Sequence, residues 1–358
     1  MGGPKRVILH IGLLKTGTTS LQAFLRENEE ELATQGIGYY QMKFYGYNTS
    51  SNAGFLCWSA LFEARGTVPE EWSYDDEKAA FSEYAKAYDS LILSEECMSE
   101  QVLRYPSYWD VVKKNVLEMA GEDAVIDVII FLRRQDDWIL SRWKQSIRSP
   151  FYREDAASVE MFDFSEFLDK KAKATGLLDY EAALGRLVKV FGHDHVTVCG
   201  YGRTDGEPFD TIGTFLAAAG ISLPNADANE AEHRNPSLTM RAAKALLFIH
   251  QNKITKGICR VRIRHAAETF SLLYPEKQRY YPLNREMRRH LLSEFEEANE
   301  RVSKAFNQGI PLFTSEIEDY CEWHDDPMQT KEDAETILKL ASLSGETTML
   351  LLREARKS

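Results

Sequence analysis

The segment His10-Ile11-Gly12-Leu13-Leu14-Lys15-Thr16-Gly17-Thr18-Thr19-Ser20 constrains the fold more than any other part of the chain. It follows a β-branched apolar run at 7–11 and leads into apolar residues at helical spacing over 20–32, so it reads as strand, glycine-containing turn and helix. Such a turn aims successive backbone N–H groups and the positive end of the helix dipole at one point, which suits an anion. Gly12 and Gly17 let the backbone approach closely, and Thr18, Thr19 and Ser20 add hydroxyl donors beyond Thr16. The spacing from Gly12 to Gly17 is that of a nucleotide P-loop, but Thr18 stands where a Walker-type lysine belongs. The lysine, Lys15, is inside the loop. A divergent P-loop small-molecule kinase using ATP and magnesium is therefore the alternative reading, not the first one.

The rest of the N-terminal half repeats the pattern. Short apolar runs at 91–93, 125–132 and 196–199 alternate with helical spacing at 109–119, 138–147 and 180–190, which predicts βα units around a parallel sheet. From Ser237 onward the pattern is helical, clearest at 242–250, 286–306 and 332–356. The expectation is an α/β fold: a P-loop-like parallel sheet flanked by helices, with a mostly helical C-terminal part. It forms one domain over 1–358, with a nucleotide-binding core at 1–220 and a helical cap at 237–358, separated by an Asn-, Asp- and Pro-rich loop.

The loop resembles the 5′-phosphosulfate-binding loop of the sulfotransferase family dependent on 3′-phosphoadenosine 5′-phosphosulfate (PAPS), bacterial type. There Lys-x-Gly-Thr-Thr follows the first strand, and members often read His-Ile-Gly-x-Pro-Lys-Thr-Gly-Thr-Thr-Ser-Leu-Gln; this chain has Leu14 at the proline. A second match is Leu132-Arg133-Arg134-Gln135-Asp136-Asp137-Trp138-Ile139-Leu140-Ser141, where Arg133 and Ser141 have the spacing of the family's 3′-phosphate ligands. Gln135 replaces the family's usual proline. The resemblance implies sulfuryl transfer from PAPS to a hydroxyl or amine of a carbohydrate, lipid or small metabolite, with adenosine 3′,5′-bisphosphate leaving and no metal required. Gly12, Lys15, Thr16, Gly17, Thr18, Thr19, Ser20, Arg133 and Ser141 would hold the nucleotide. His233-Arg234-Asn235-Pro236-Ser237 resembles a late loop closing over it, which adds Arg234, although Ser237 also reads as a helix N-cap.

Transfer needs a base for the acceptor proton, and ligands of open α/β sheets bind beyond the carboxyl ends of the strands. The run Leu91-Ile92-Leu93-Ser94-Glu95-Glu96 ends in carboxylates. Glu95 is the first expectation, Glu96 the second and His10 a competitor; Lys15 is the catalytic cation. A carboxylate at the start of a helix, stabilised by its dipole, explains either glutamate equally well.

Charge and cysteine usage narrow the partners. A net charge of −12 argues against broad attraction to nucleic acid or anionic membrane, so any phosphate site must be built locally. The five cysteines form no Cys-x-x-Cys pair and read as reduced and mostly buried. No run approaches the roughly 20 apolar residues of a spanning helix, and a cytoplasmic enzyme is the expectation. A homodimer through 332–356 is left open. The cations Arg134, Arg142, Lys144 and Arg148, and the cluster Lys253, Lys256, Arg260, Arg262, Arg264 and His265, read as solvated faces. Tyr39, Tyr40, Phe44, Tyr45 and Tyr47 fit either an acceptor wall or packed strand aromatics.

Overall fold

Each short apolar run becomes a strand, and those at the centre of the sheet are buried on both faces, as a parallel sheet requires of its sequence. The computed structural model describes residues 5–42, 52–70, 72, 75–101, 105–148, 161–202, 209–223, 237–255, 257–317, 320–343 and 347. In chain order, β1 is Arg6–His10, α1 Thr18–Glu27, α2 Glu29–Thr34, β2 Ile37–Tyr39, α3 Gly54–Arg65, α4 Asp75–Ala85 and β3 Ser90–Ser94. A 3-10 turn, Glu96–Gln101, precedes α5 Tyr108–Ala120 and β4 Val125–Arg133. Next come α6 Gln135–Arg148, α7 Phe164–Phe167 with a π-helical turn Leu168–Lys173, and α8 Tyr180–Phe191. The chain continues with β5 Val196–Tyr201, α9 Thr211–Ala219, α10 Met240–Gln251, α11 Arg260–Leu273, β6 Tyr280–Tyr281 and α12 Arg285–Ser293. It closes with α13 Glu296–Phe306, β7 Cys321–Glu322 and α14 Pro327–Ser342.

The chain divides into two units. The first comprises Met1–Arg134, Thr175–Arg234 and Phe295–Thr314; the second comprises Gln135–Ala174, Asn235–Glu294 and Ser315–Ser358. Where the sequence suggests a core over 1–220 and a cap over 237–358, each unit instead draws on three separate stretches. The first holds a five-stranded parallel sheet in the order β2-β3-β1-β4-β5. This is an α/β fold, with the helical C-terminal part that the pattern predicts.

Alternation along the strands assigns the two faces of that sheet. Ile8, Ile92, Ile129 and Phe131 join Leu21, Phe24 and Leu25 of α1 and Ile212 and Phe215 of α9 in one core. Val7, Leu9, Leu91, Leu93, Val128, Ile130 and Leu132, also buried, point the other way. Burying a side chain of this size contributes about 1.5–3 kcal/mol, so a polar residue here would break the sheet's packing. β1 lies between β3 and β4; the chain leaves β1 towards the β2 side and leaves β4 towards β5, which puts a topological switch point between β1 and β4.

Helix boundaries depart from the periodicity where side chains intervene. The helix expected over 20–32 breaks at Asn28, whose backbone N–H and side-chain amide both donate to the Phe24 carbonyl and close α1. The helix expected over 286–306 is two helices, α12 and α13, and the break is where the chain passes from the second unit to the first. α14 starts at Pro327, earlier than expected, because Asp326 caps it by accepting from the N–H groups of Met328 and Gln329; nearly all of 344–358 is outside the described residues. Ser237 is not the cap of α10. Thr239 is, accepting from the N–H of Ala242.

The second unit also contains the parallel pair β6–β7. Its buried centre is the ion pair between Arg288 of α12 and Asp136 of α6, at 2.6 Å, with Arg288 between the rings of Tyr281 and Tyr320. Lys253, Arg260, Arg262 and His265 are exposed, as a solvated face requires, but other cations of that reading are engaged. Lys144 donates to the Leu238 carbonyl, Arg148 pairs with Glu268 at 2.6 Å, and Arg264 and His265 approach the same glutamate. Arg134, in the first unit, is buried and donates to the Thr314 carbonyl. All five cysteines are free, but only Cys57 is fully buried and Cys259 is exposed. Cys97, Cys199 and Cys321 are half-buried, Cys199 packed against the core of the sheet. Among the described residues no helix is long and apolar enough to cross a membrane.

Candidate functional site

Parallel strands end on the same side, so the carboxyl ends of β1, β3 and β4 bring Lys15, Glu95, Glu96 and Arg133 to one edge of the first unit's sheet. The loop after β1 keeps pairing with β4: Ile11 N–H donates to the Ile129 carbonyl at 3.0 Å and Leu13 N–H to that of Phe131 at 3.1 Å. It then turns sharply. Thr16 Oγ1 donates to the Leu13 carbonyl at 2.6 Å, while Lys15 (φ 73°) and Gly17 (φ 81°) both take the left-handed conformation. That conformation is costly for lysine and persists only where the surroundings impose it, as they do in anion-binding turns.

Gly17 is required twice over. It precedes the first turn of α1 with a positive φ, and a β-carbon there would lie 2.6 Å from Thr211 Oγ1 at the start of α9. No side chain caps α1, and Gly17 offers its carbonyl to the N–H groups of Ser20 and Leu21. Thr18 is buried and Thr19 exposed, with Ser20 half-buried. Thr18 Oγ1 is close enough to Glu96 to favour its carboxylate, yet makes no hydrogen bond of acceptable geometry with any described residue.

Arg133, at the end of β4, donates from Nη1 to the Lys15 carbonyl at 3.1 Å, and its guanidinium lies over the ring of Tyr201, its partner in register on β5, at 5.4 Å. Tyr180 donates its hydroxyl to the Arg133 carbonyl. Among the described residues Arg133 has no carboxylate partner, which leaves most of its fork of donors available. Tyr201, Tyr180 and Thr211 went unread in the sequence. Only the placement of Tyr201 at a strand end offered a signal.

The two glutamates differ in what surrounds them. Glu95 accepts from the N–H of Cys97 at 3.1 Å and so caps the 3-10 turn; burial raises the thiols of Cys57 and Cys97 and the hydroxyl of Tyr108, and the charge of Glu95 adds to it. Burial raises the Glu95 carboxyl, opposed by the bond from Cys97. Glu96 faces the loop. Burial pushes its carboxyl up to about 7, Glu95 adds repulsion, and Lys15 and Thr18 draw it down. His10 is fully buried, and burial pushes its imidazole down to about 3.

Other expected residues lie elsewhere. Ser141 is on α6 of the second unit, half-buried. Arg234, with the rest of 224–236, is outside the described residues, as are Phe44, Tyr45, Tyr47 and Lys256. Tyr39 ends β2 and donates to Asn52 Oδ1 at 2.9 Å; Tyr40 donates to Glu77 at 3.0 Å and packs edge-on against Phe81. Among the described residues no group of His, Cys, Asp or Glu is clustered to hold a metal ion.

No family model matches the chain. An uncharacterized protein of Archaeoglobus fulgidus is 27% identical over 225 residues, which cover 59% of this chain and 55% of that protein; the chain thus spans about half the length of this relative. Among solved structures, the crystal structure of a sulfotransferase from Alicyclobacillus acidocaldarius is similar at 17% identity and a TM-score of 0.37, over 73% of this chain and 95% of that one. Likeness at that level says nothing about activity, which must be read from the site itself.

Proposed function

We propose that this chain is a sulfotransferase that takes its sulfuryl group from PAPS and delivers it to a hydroxyl or amine of a carbohydrate, lipid or small metabolite. The observation that carries the reading is the loop between β1 and α1: an uncapped helix start, a lysine in left-handed conformation, and a buried Thr18 hydroxyl without a partner among the described residues. Arg133, with no carboxylate to neutralise it among the described residues, supports a second phosphate nearby. These residues fit a phosphorylated nucleotide: Lys15, Thr16, Gly17, Thr18, Thr19 and Ser20 would hold the 5′-phosphosulfate, and Arg133 the 3′-phosphate through charge-assisted hydrogen bonds. Ser141 remains the resemblance's offer of a further ligand.

Bound PAPS supplies an activated sulfuryl group, and adenosine 3′,5′-bisphosphate is the product left behind. Glu96 takes the acceptor proton as the acceptor oxygen or nitrogen forms its bond to sulfur; burial and Glu95 give it a pKa suited to that task near neutral pH. Lys15, Thr18 and the first N–H groups of α1 stabilise the charge that develops on the bridging oxygen, as fixed donors. Glu95, spent on the Cys97 N–H, serves the turn that presents Glu96.

Thermal unfolding with adenosine 3′,5′-bisphosphate, with ATP plus magnesium, and with buffer tests the reading. A ligand at 100 times its dissociation constant stabilises by about 2.7 kcal/mol. The bisphosphate should stabilise wild type and not Lys15→Ala, and PAPS should then yield sulfated product in a screen of acceptor classes. Stabilisation by ATP plus magnesium alone would reverse the choice in favour of a kinase.

A further inference from the structure

His10 stands beside the loop and has no part in the proposed chemistry. It ends β1 with no exposed surface, and its Nδ1 lies 2.8 Å from the Oγ of Ser94, its partner in register on β3. Gln22 of α1 donates from Nε2 to the same Oγ at 3.1 Å. With one of its two lone pairs filled from Gln22, the Ser94 hydroxyl keeps a hydrogen to give, and giving it to Nδ1 makes that nitrogen the acceptor and leaves the ring hydrogen on Nε2. Nε2 is buried, has no partner among the described residues, and is aimed at the loop. A β-carbon on Gly12 would lie 2.9 Å from it and 3.1 Å from Thr16 Oγ1. Phe131 and Phe215 hold the ring edge-on, at 5.6 and 5.4 Å between centroids. Gly12 is thus a glycine because an imidazole occupies the place of its side chain.

We propose that Gln22, Ser94 and His10 form a buried relay that fixes the Nε2–H tautomer of His10 and presents this hydrogen to an anion held in the loop, from beneath Gly12. The proposal rests on reading the loop as an anion site, and it gives His10 a binding and positioning role instead of that of a base. Its burial agrees: a ring held near a pKa of about 3 stays uncharged at neutral pH, so it donates without titrating. Gln22 and Ser94 act through His10 and never touch the anion.

The test is a long-range proton–nitrogen NMR spectrum of the histidine-labelled chain, with and without inorganic phosphate or adenosine 3′,5′-bisphosphate. His10 should show a protonated Nε2 and a bare Nδ1 at neutral pH, and the Nε2 hydrogen should shift downfield with either anion. Ser94→Ala should mix the tautomers. By calorimetry, His10→Asn, which keeps a group near Ser94 but loses the far donor, should weaken the bisphosphate about tenfold, while His10→Gln, which restores a donor at that reach, should recover most of it. A hydrogen found on Nδ1, or an Nε2 hydrogen indifferent to both anions, overturns the proposal even if the variants do not fold. Should phosphate move it while the bisphosphate does not bind, the relay stands and the PAPS reading falls.

Discussion

Glu96→Gln separates the cost of holding a base in this place from the use made of it. The Glu96 carboxyl is raised from 4.5 to about 7, first by burial, then by Glu95. Its folded value lies above its unfolded one, so folding takes up a proton between these limits. The stability of the protonated form is fully present below about pH 4.5 and lost as pH climbs through 7. Above pH 7 the buried charge costs about 3 kcal/mol, at ~1.4 kcal/mol per pH unit. Glutamine keeps the shape and removes that cost. The variant should therefore unfold at higher denaturant concentration than wild type at about pH 8, and at the same concentration at about pH 4. Its turnover should fall by about 10²–10⁴-fold, the range for a lost general base. Wild-type kcat/KM should rise with pH through about 7, since only the carboxylate accepts a proton, and the variant should lack that limb. Chemical denaturation at the two pH values and a sulfate-transfer pH profile are the assays. A variant less stable at pH 8 would refute the electrostatics; an unchanged pH limb would refute the role.

Three other perturbations test separate parts of the structure. Arg133→Ala should weaken adenosine 3′,5′-bisphosphate by about 1.5–3 kcal/mol, the worth of a hydrogen bond to a charged group, and the 3′-dephospho nucleotide far less; equal losses in calorimetry would remove Arg133 from the 3′-phosphate. Gly17→Ala should destabilise the fold by roughly 1–3 kcal/mol, because alanine takes a left-handed φ poorly and its β-carbon meets Thr211; pairing it with Thr211→Ser, which keeps the clashing hydroxyl, should recover little. Asp136→Asn should cost up to about 3–5 kcal/mol by removing the nearer carboxylate of the buried Arg288 and leaving Asp137 at 4.0 Å, read as a lower denaturation midpoint.

The sheet was legible because a strand buried on both faces must be almost wholly apolar, and the runs at 7–11, 91–93, 125–132 and 196–199 are. Their order was not. Nothing local in Ser90–Ser94 says that it lies against Arg6–His10 and pushes β2 to the edge, since pairing is decided by the helices that pack between. The strand, turn and helix around the loop were readable, with Gly12 and Gly17 standing where a β-carbon would meet His10 and Thr211. The choice between Glu95 and Glu96 was not readable, because adjacent residues at a strand end point apart and only the fold says which side the loop is on. Helix ends at Asn28 and Asp326 were missed for a related reason: a side chain that bonds the local backbone outweighs the apolar period around it.

The division of each unit among three stretches of chain bears on how the protein is made. During synthesis β1 to β5 are available early, yet the first unit is completed only by Phe295–Thr314, where the Leu312 carbonyl comes so near Gly200 of β5 that a β-carbon there would collide with it. Until the ribosome has passed that segment, the growing sheet lacks the piece that covers the end of β5, and the stretches 135–174 and 235–294 of the second unit have already emerged. Neither unit is a contiguous fragment that can be cut out and expressed alone. Stalling translation before residue 295 should leave a chain that chaperones retain, and release should follow only once α13 and the segment after it have been added.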